Sequence, residues 1–308
     1  MRDFCFFCIT YNKDYKAFTL MIESFKRHNI DKIPFVVAIQ DESIYDEKNI
    51  SYDRNGGGQN LISFCDFKKF EDDCIKIIKD SDFAYPYLIK SKRKNGLSSG
   101  YLNQEISKLT FFEYEYAEHY LCIDSDTIFI KDFSRDDFFY DETTPYIILV
   151  QDKDLHSKNY YINFAKERKY FIKKIFDFVG CEDSRLRTSH NGQIFSHKIL
   201  CSFRDDFMKK RNLSYIDLLE ISPFEFTWYN AYFQKVSLIK EVAIEPFFKM
   251  YHTKAEYILD RLSGNNISNL KNEYLGYILN SNWSKNEFRF KNRGIFSRIL
   301  YLFLTKFT

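Results

Sequence analysis

The amino-acid sequence predicts an α/β fold: a mostly parallel sheet flanked by helices, with a C-terminal helical and tail extension. Strand, helix and strand signals alternate within the first forty residues, the pattern of a βαβ unit, and such units build parallel sheets. A further apolar run at 120–123 ends in two aspartates, which places charge at the carboxyl edge of a strand. With 308 residues, 45% hydrophobic and 29% charged, the chain can bury one large core, and 10 Gly and 5 Pro are too few for a collagen-like or linker-rich design.

Each element follows in order. Residues 4–10 form a short apolar run suited to a buried strand, and 14–28 carry Phe18, Met21, Ile22 and Phe25 at helical spacing. Residues 34–40 (PFVVAIQ) read as a second buried strand. The polar stretch 41–60 ends in a glycine cluster without the Gly-Lys-Ser/Thr of a phosphate-binding loop, so it reads as a plain loop. A basic loop at 92–96 leads to a helix over 101–116 with Leu102, Ile106 and Leu109 on its core face. Tyr101, Gln104 and Lys108 line up on another face at i, i+3, i+7. Strands follow at 120–123, 127–130 and 146–150, and helical stretches at 158–178 and 198–211. The loop 190–193 precedes apolar Ile194-Phe195; a helix begins near Glu225, and one strand spans 242–252.

Charge and cysteine usage exclude several classes. Residues 285–308 hold six Lys and Arg against Glu287, a local charge of +5, so the rest of the chain sums to −3. A slightly acidic body is a poor partner for nucleic acid, whereas a short basic tail suits an anionic membrane. The tail interleaves Arg293, Arg298 and Lys306 with Ile295, Phe296, Ile299, Leu300, Leu302, Phe303 and Leu304. It is too short for a span but fits a helix lying in the headgroup plane through 291–308, or one packed on the domain. Cys5 and Cys8 have the spacing of a metal or redox pair, but within a strand odd spacing sends them to opposite faces. With no secretory leader expected, seven irregularly spaced cysteines read as a reduced, cytoplasmic protein.

Three places could do chemistry. In YLCIDSDTIFI (120–130), Asp124 and Asp126 repel each other unless a cation joins them, and hard carboxylate oxygens favour Mn2+ or Mg2+, which in turn holds a diphosphate. The alternative is a solvated strand-end turn. His252, ending IEPFFKMYH, could complete the coordination sphere or be a satisfied, partly buried histidine. Glu225 shares a helical face with Trp228, Tyr229 and Tyr232. A carboxylate beside aromatic rings suits a sugar, and the same spacing also suits an aromatic core stripe.

These motifs together resemble bacterial GT-A-fold, DXD-containing glycosyltransferases of cell-surface polysaccharide and lipooligosaccharide biosynthesis. The likeness runs in order through CITYNKDY (8–15), GYLNQEISKL (100–109), IDSDTIFIKDF (123–133), HNGQIFSHKIL (190–200) and EFTWYNAYF (225–233). It implies a Rossmann-type catalytic domain over 1–284, with a nucleotide-sugar half at 1–133 and an acceptor half at 134–284, followed by the basic amphipathic tail 285–308. It implies that Asp126 binds the metal directly, that Asp124 binds the donor ribose or the metal, and that His252 completes the site. Thr10 and Tyr11 would cradle the base, Gln104 and Lys108 would face the donor, and Asn191 and Gly192 would lie under its sugar. Residue 230 is Asn where the family pattern has glycine, and Ser222-Pro223-Phe224 blurs the start of the Glu225 motif.

The expected function is metal-dependent transfer of a sugar from a nucleotide-diphosphate donor, a UDP-sugar foremost, to a hydroxyl of a cell-surface glycan or lipid-linked acceptor. In an inverting enzyme Glu225 would be the catalytic base, and in a retaining one it would serve for positioning only; the enzyme would sit peripherally on the inner face of the cytoplasmic membrane. A haloacid-dehalogenase-type phosphohydrolase shares the strand-Asp-x-Asp pattern, but Thr127 follows without the usual spacer and the motif lies far from the first strand. A non-catalytic glycan-binding protein on the same fold is the third reading.

Overall fold

The computed structural model describes residues 1–44, 62–90, 97–150, 159–183, 185–189, 191–251 and 254–280, and the side chains of all of these but 159–167, 254 and 255. The basic loop 92–96, the glycine cluster, His252 and the tail 285–308 lie outside the described residues. In chain order the elements are β1 (Arg2–Thr10), α1 (Tyr15–His28), β2 (Phe35–Ile39), α2 (Phe64–Lys68), β3 (Ile75–Lys79), α3 (Ser81–Ala84) and α4 (Ser99–Thr110). They continue as β4 (Ala117–Asp124), β5 (Thr127–Phe129), β6 (Ile147–Ile148), α5 (Asn159–Val179), β7 (Gln193–Ser196), α6 (His197–Ser202), α7 (Tyr215–Ile221) and α8 (Glu225–Val236). The last are β8 (Ala243–Ile244), β9 (Phe248–Tyr251), α9 (Lys254–Leu262), α10 (Ile267–Leu270) and β10 (Gly276–Leu279).

The main sheet has the order β3-β2-β1-β4-β7, parallel except for β7, which runs antiparallel to β4. The mixed α/β class with a mostly parallel sheet flanked by helices is therefore the observed one. β1 is central and buried on both faces, which is why it reads as an unbroken apolar run. Its alternation deals side chains to two layers. Phe4, Phe6 and Cys8 pack with Phe18, Met21, Ile22 and Phe25 of α1, while Cys5, Phe7 and Ile9 pack with Leu102, Ile106 and Leu109 of α4. Each buried Phe contributes roughly 2–3 kcal/mol. Cys5 and Cys8 thus face opposite layers, and all seven cysteines are free thiols.

Two smaller sheets extend the fold: β5-β10-β9 and the parallel pair β6-β8. β10 is antiparallel to β5 and parallel to β9. The expected single strand at 242–252 is two short ones, β8 and β9. Pro246 between them has no N–H for a ladder. The expected helix over 101–116 is α-helical only to Thr110; a tighter turn at Phe111–Tyr114 ends at Glu115, whose φ of 50° leaves the helical region. The helix at 198–211 likewise begins as α6 and then changes to a wider and a tighter turn. Among the described residues no helix is long and apolar enough to cross a membrane.

Candidate active site

The chain leaves β1 toward β2 and β3 on one side, and β4 returns on the other, so the strand order reverses between β1 and β4. Crevices outside the carboxyl ends of such strands bind ligands. A cavity of about 520 Å³ opens there, lined by Tyr11 and Asp14 after β1, Gln40 after β2, and Asp124, Ser125 and Asp126 at the end of β4. α4 contributes Tyr101, Gln104, Glu105 and Lys108, and α8 contributes Glu225. The volume is in the range of small-molecule sites.

Local structure explains each placement. Ser98 caps α4 by accepting a hydrogen bond from the Tyr101 N–H at 3.2 Å, and Gln40 Nε2 donates to the Gly100 carbonyl at 2.7 Å, fixing the first turn of α4 beside the end of β2. Tyr101 Oη donates to the Pro223 carbonyl at 3.0 Å, joining α4 to the entry of α8. The Asp124–Asp126 turn is closed by Thr127, whose hydroxyl donates to the Asp124 carbonyl at 2.7 Å. The Leu279 N–H donates to the Asp126 carbonyl at 3.2 Å, so β10 pins that turn from behind.

The floor of the cavity is ionic. Lys108 is buried, with Nζ 2.8 Å from Glu225 Oε1, 3.2 Å from Asp124 Oδ1 and 3.6 Å from Glu105 Oε2. Burial alone would lower the Lys108 pKa, but Asp124, Glu105 and Glu225 hold it well above the usual lysine range. Burial opposes ionisation of Glu225 too, yet the Lys108 charge and hydrogen bonds from Glu105 and Lys108 bring its pKa below the ordinary value. Glu105 goes the other way: burial and the neighbouring Glu225 carboxylate push it well up. Of the two glutamates, Glu105 is therefore the one that holds a proton more readily, and Glu225 the one that ionises more readily. At the mouth, burial raises Asp14 to about 6, although Ser125 Oγ donates to Asp14 Oδ2 at 3.3 Å.

The cavity gathers Tyr11, Gln104, Lys108, Asp124, Asp126 and Glu225 from four separate stretches of sequence. It does not gather Thr10, Asn191 and Gly192. Thr10 is buried at the end of β1, where its carbonyl accepts the Gln40 N–H. Asn191 Nδ2 donates to the Phe248 carbonyl at 2.7 Å. Gly192 has a φ of 119°, and a Cβ there would stand 3.2 Å from the Cys122 carbonyl oxygen, so glycine lets this loop approach β4.

The aromatic face expected beside Glu225 is core. Trp228, Tyr229 and Tyr232 are buried, with Trp228 Nε1 donating to the Ser222 carbonyl and the Ser196 N–H donating to Tyr229 Oη. Phe224 and Phe226 line the cavity instead, and the Arg168 guanidinium lies 4.6 Å from the Phe224 ring centre. Asn230 is fully buried, bonded to Gln193, and its Nδ2 donates to Thr188 Oγ1 at 3.2 Å. Sequence reasoning did not single out Asp14, Gln40, Glu105 or Arg168. Only the i, i+4, i+7 spacing of Tyr101, Glu105 and Lys108 on α4 carried a signal for any of them.

The donor set fits a hard divalent cation. Asp124 and Asp126 both reach the cavity, and Mg2+ or Mn2+ is commonly held by one or two carboxylates with phosphate oxygens and water completing the shell. Among the described residues no group of three or more His, Cys, Asp or Glu side chains could hold a metal, and His252 lies outside them.

No family model and no curated protein matches the chain. Solved structures similar to it include the bifunctional glycosyltransferase WbbM, at 12% identity and TM-score 0.47 over 99% of this chain and 44% of that one. They include the galactosyltransferase LgtC in complex with donor and acceptor sugar analogues, at 13% identity and TM-score 0.43 over 90% and 84%. The glycosyltransferase GlyE of Streptococcus pneumoniae TIGR4 is similar at 11% identity and TM-score 0.46 over 99% and 60%. The chain thus spans less than two thirds of WbbM and of GlyE.

Proposed function

We propose that the protein transfers a sugar from a nucleotide-diphosphate donor, a UDP-sugar foremost, to a hydroxyl of a glycan or lipid-linked acceptor. The observation that carries this reading is the cavity at the reversal point between β1 and β4, where two strand-end aspartates, a mouth-side tyrosine and a lysine-paired glutamate face one space. Tyr11, beside Thr10 at the end of β1, offers a ring to the base. Asp124 and Asp126 would hold Mn2+ or Mg2+, which when bound neutralises the leaving diphosphate. Gln104, one turn of α4 from Lys108, reaches toward the donor. Lys108 holds Glu225 ionised and in place, so that Glu225 accepts the hydrogen bond of the acceptor hydroxyl and takes its proton as the new bond forms.

A screen of nucleotide sugars tests this. With Mn2+ present, one donor is slowly hydrolysed to free sugar and nucleoside diphosphate, and a chelator stops the reaction. Absence of hydrolysis across the panel, with no rise in melting temperature on adding nucleoside diphosphate and Mn2+, contradicts the reading.

The same reading covers membrane contact through 291–308, on the cytoplasmic face and near a lipid-linked acceptor. Deleting 291–308 is expected to release the protein from anionic liposomes while leaving transfer to a soluble acceptor intact. Full-length protein that ignores such liposomes at low salt removes this part.

A further inference from the structure

Four ionisable side chains meet on the cavity floor, and Glu105 has no part in the function above. It stands one turn before Lys108 on α4, is 3% exposed and lines the cavity. Lys108 is committed more closely to Glu225 and Asp124, at 2.8 and 3.2 Å, than to Glu105 Oε2 at 3.6 Å. Glu105 Oε2 is buried and makes no hydrogen bond within the protein. Buried polar oxygens are nearly always matched, so one that is unmatched beside a cavity is placed for something that enters it. Packing does not explain the residue: the buried face of α4 is already supplied by Leu102, Ile106 and Leu109.

Resting on the reading of the cavity as a nucleotide-sugar site, we propose that Glu105 hydrogen-bonds a hydroxyl of the sugar being transferred and thereby selects which sugar is accepted. The occupant is a hydroxyl and not a phosphate, because the floor around Glu105 already carries the Glu225 and Asp124 carboxylates and repels further anions. The unmatched Glu105 Oε2 is an acceptor, and a sugar hydroxyl entering the cavity can donate to it. A site that buries such a group discriminates strongly against an analogue lacking the hydroxyl, since binding it strands the group without a partner.

The test titrates UDP, UDP-glucose, UDP-galactose and UDP-N-acetylglucosamine, each with Mn2+, into wild type, Glu105→Gln and Glu105→Leu by calorimetry. The Leu variant is expected to bind UDP as wild type does and the preferred UDP-sugar about tenfold or more weakly. The Gln variant, which keeps a donor and an acceptor, stays within about threefold of wild type. Equal weakening for UDP and UDP-sugar, or none for either, overturns the role of Glu105 while leaving the site reading intact. Should the Leu variant not fold, monodeoxy analogues of the preferred donor decide with wild type and Glu105→Gln. One deoxy position costs about tenfold in wild type and a different amount in the Gln variant. If no deoxy position costs affinity, the proposal is overturned. A wild type that binds none of these nucleotides overturns the proposed function itself.

Discussion

Lys108 organises the site by standing where three elements converge. Its ammonium touches Glu105 of its own helix, Asp124 of β4 and Glu225 of α8, so the proposed metal-binding carboxylate and the proposed base are held by one cation. In the proposed role as base, Glu225 acts through its charge. Glu225→Gln keeps shape and hydrogen bonding, and is expected to lower kcat roughly a hundredfold or more while donor affinity changes by less than about threefold, read from steady-state kinetics and calorimetry. A collapse of donor affinity with turnover intact would place Glu225 on the donor side. Much of the site was legible in the sequence: a strand-end Asp-x-Asp and an i, i+3, i+7 row on one helix depend only on local periodicity. Glu105 and Asp14 were not legible as site residues, because burial beside residues distant in sequence makes them significant. The Trp228, Tyr229 and Tyr232 stripe shows the limit of spacing, since the same period serves a core and a sugar platform, and here the rings are core.

At the scale of elements, the small sheet β5-β10-β9 braces the Asp124–Asp126 turn. β10 approaches β5 so closely that a Cβ at Gly276 would lie 2.2 Å from the Ile128 carbonyl oxygen. Gly276→Ala must push these strands apart and is expected to cost about 2 kcal/mol or more, measured as a shift of the urea midpoint with an unchanged slope. An unchanged midpoint would show that the strands yield without cost. β10 was not legible, because its four residues (GYIL) make too brief an apolar run, opened by a glycine, to mark a strand by itself. β3 (IKIIK) was passed over for the same brevity, and the break between β8 and β9 was signalled only by Pro246. Central strands were legible because burial on both faces demands an unbroken apolar run. Edge and auxiliary strands make no such demand.

Across the whole molecule, the order β3-β2-β1-β4-β7 decides where chemistry can occur, and no stretch of sequence states that order. The fold also carries a pH-dependent stability. Asp80 is buried, accepts the Asp41 N–H at 2.8 Å, and burial raises its pKa to about 7 from 3.8. A carboxyl with a higher pKa in the folded state binds its proton more tightly there. Its contribution is therefore full below about pH 4 and is lost as pH rises through about 7. The loss is on the order of 4 kcal/mol. Asp80→Asn is expected to flatten that part of the pH profile of unfolding free energy, and a slope unchanged between pH 4 and 7 would contradict it. The central claim, that Asp124 and Asp126 join a divalent metal to a nucleoside diphosphate, is tested most directly by calorimetric titration of UDP with and without Mn2+. The account predicts that Mn2+ strengthens UDP binding about tenfold or more in the wild type and not at all in Asp126→Ala, whose melting temperature does not fall. Equal Mn2+ dependence in both proteins would contradict it.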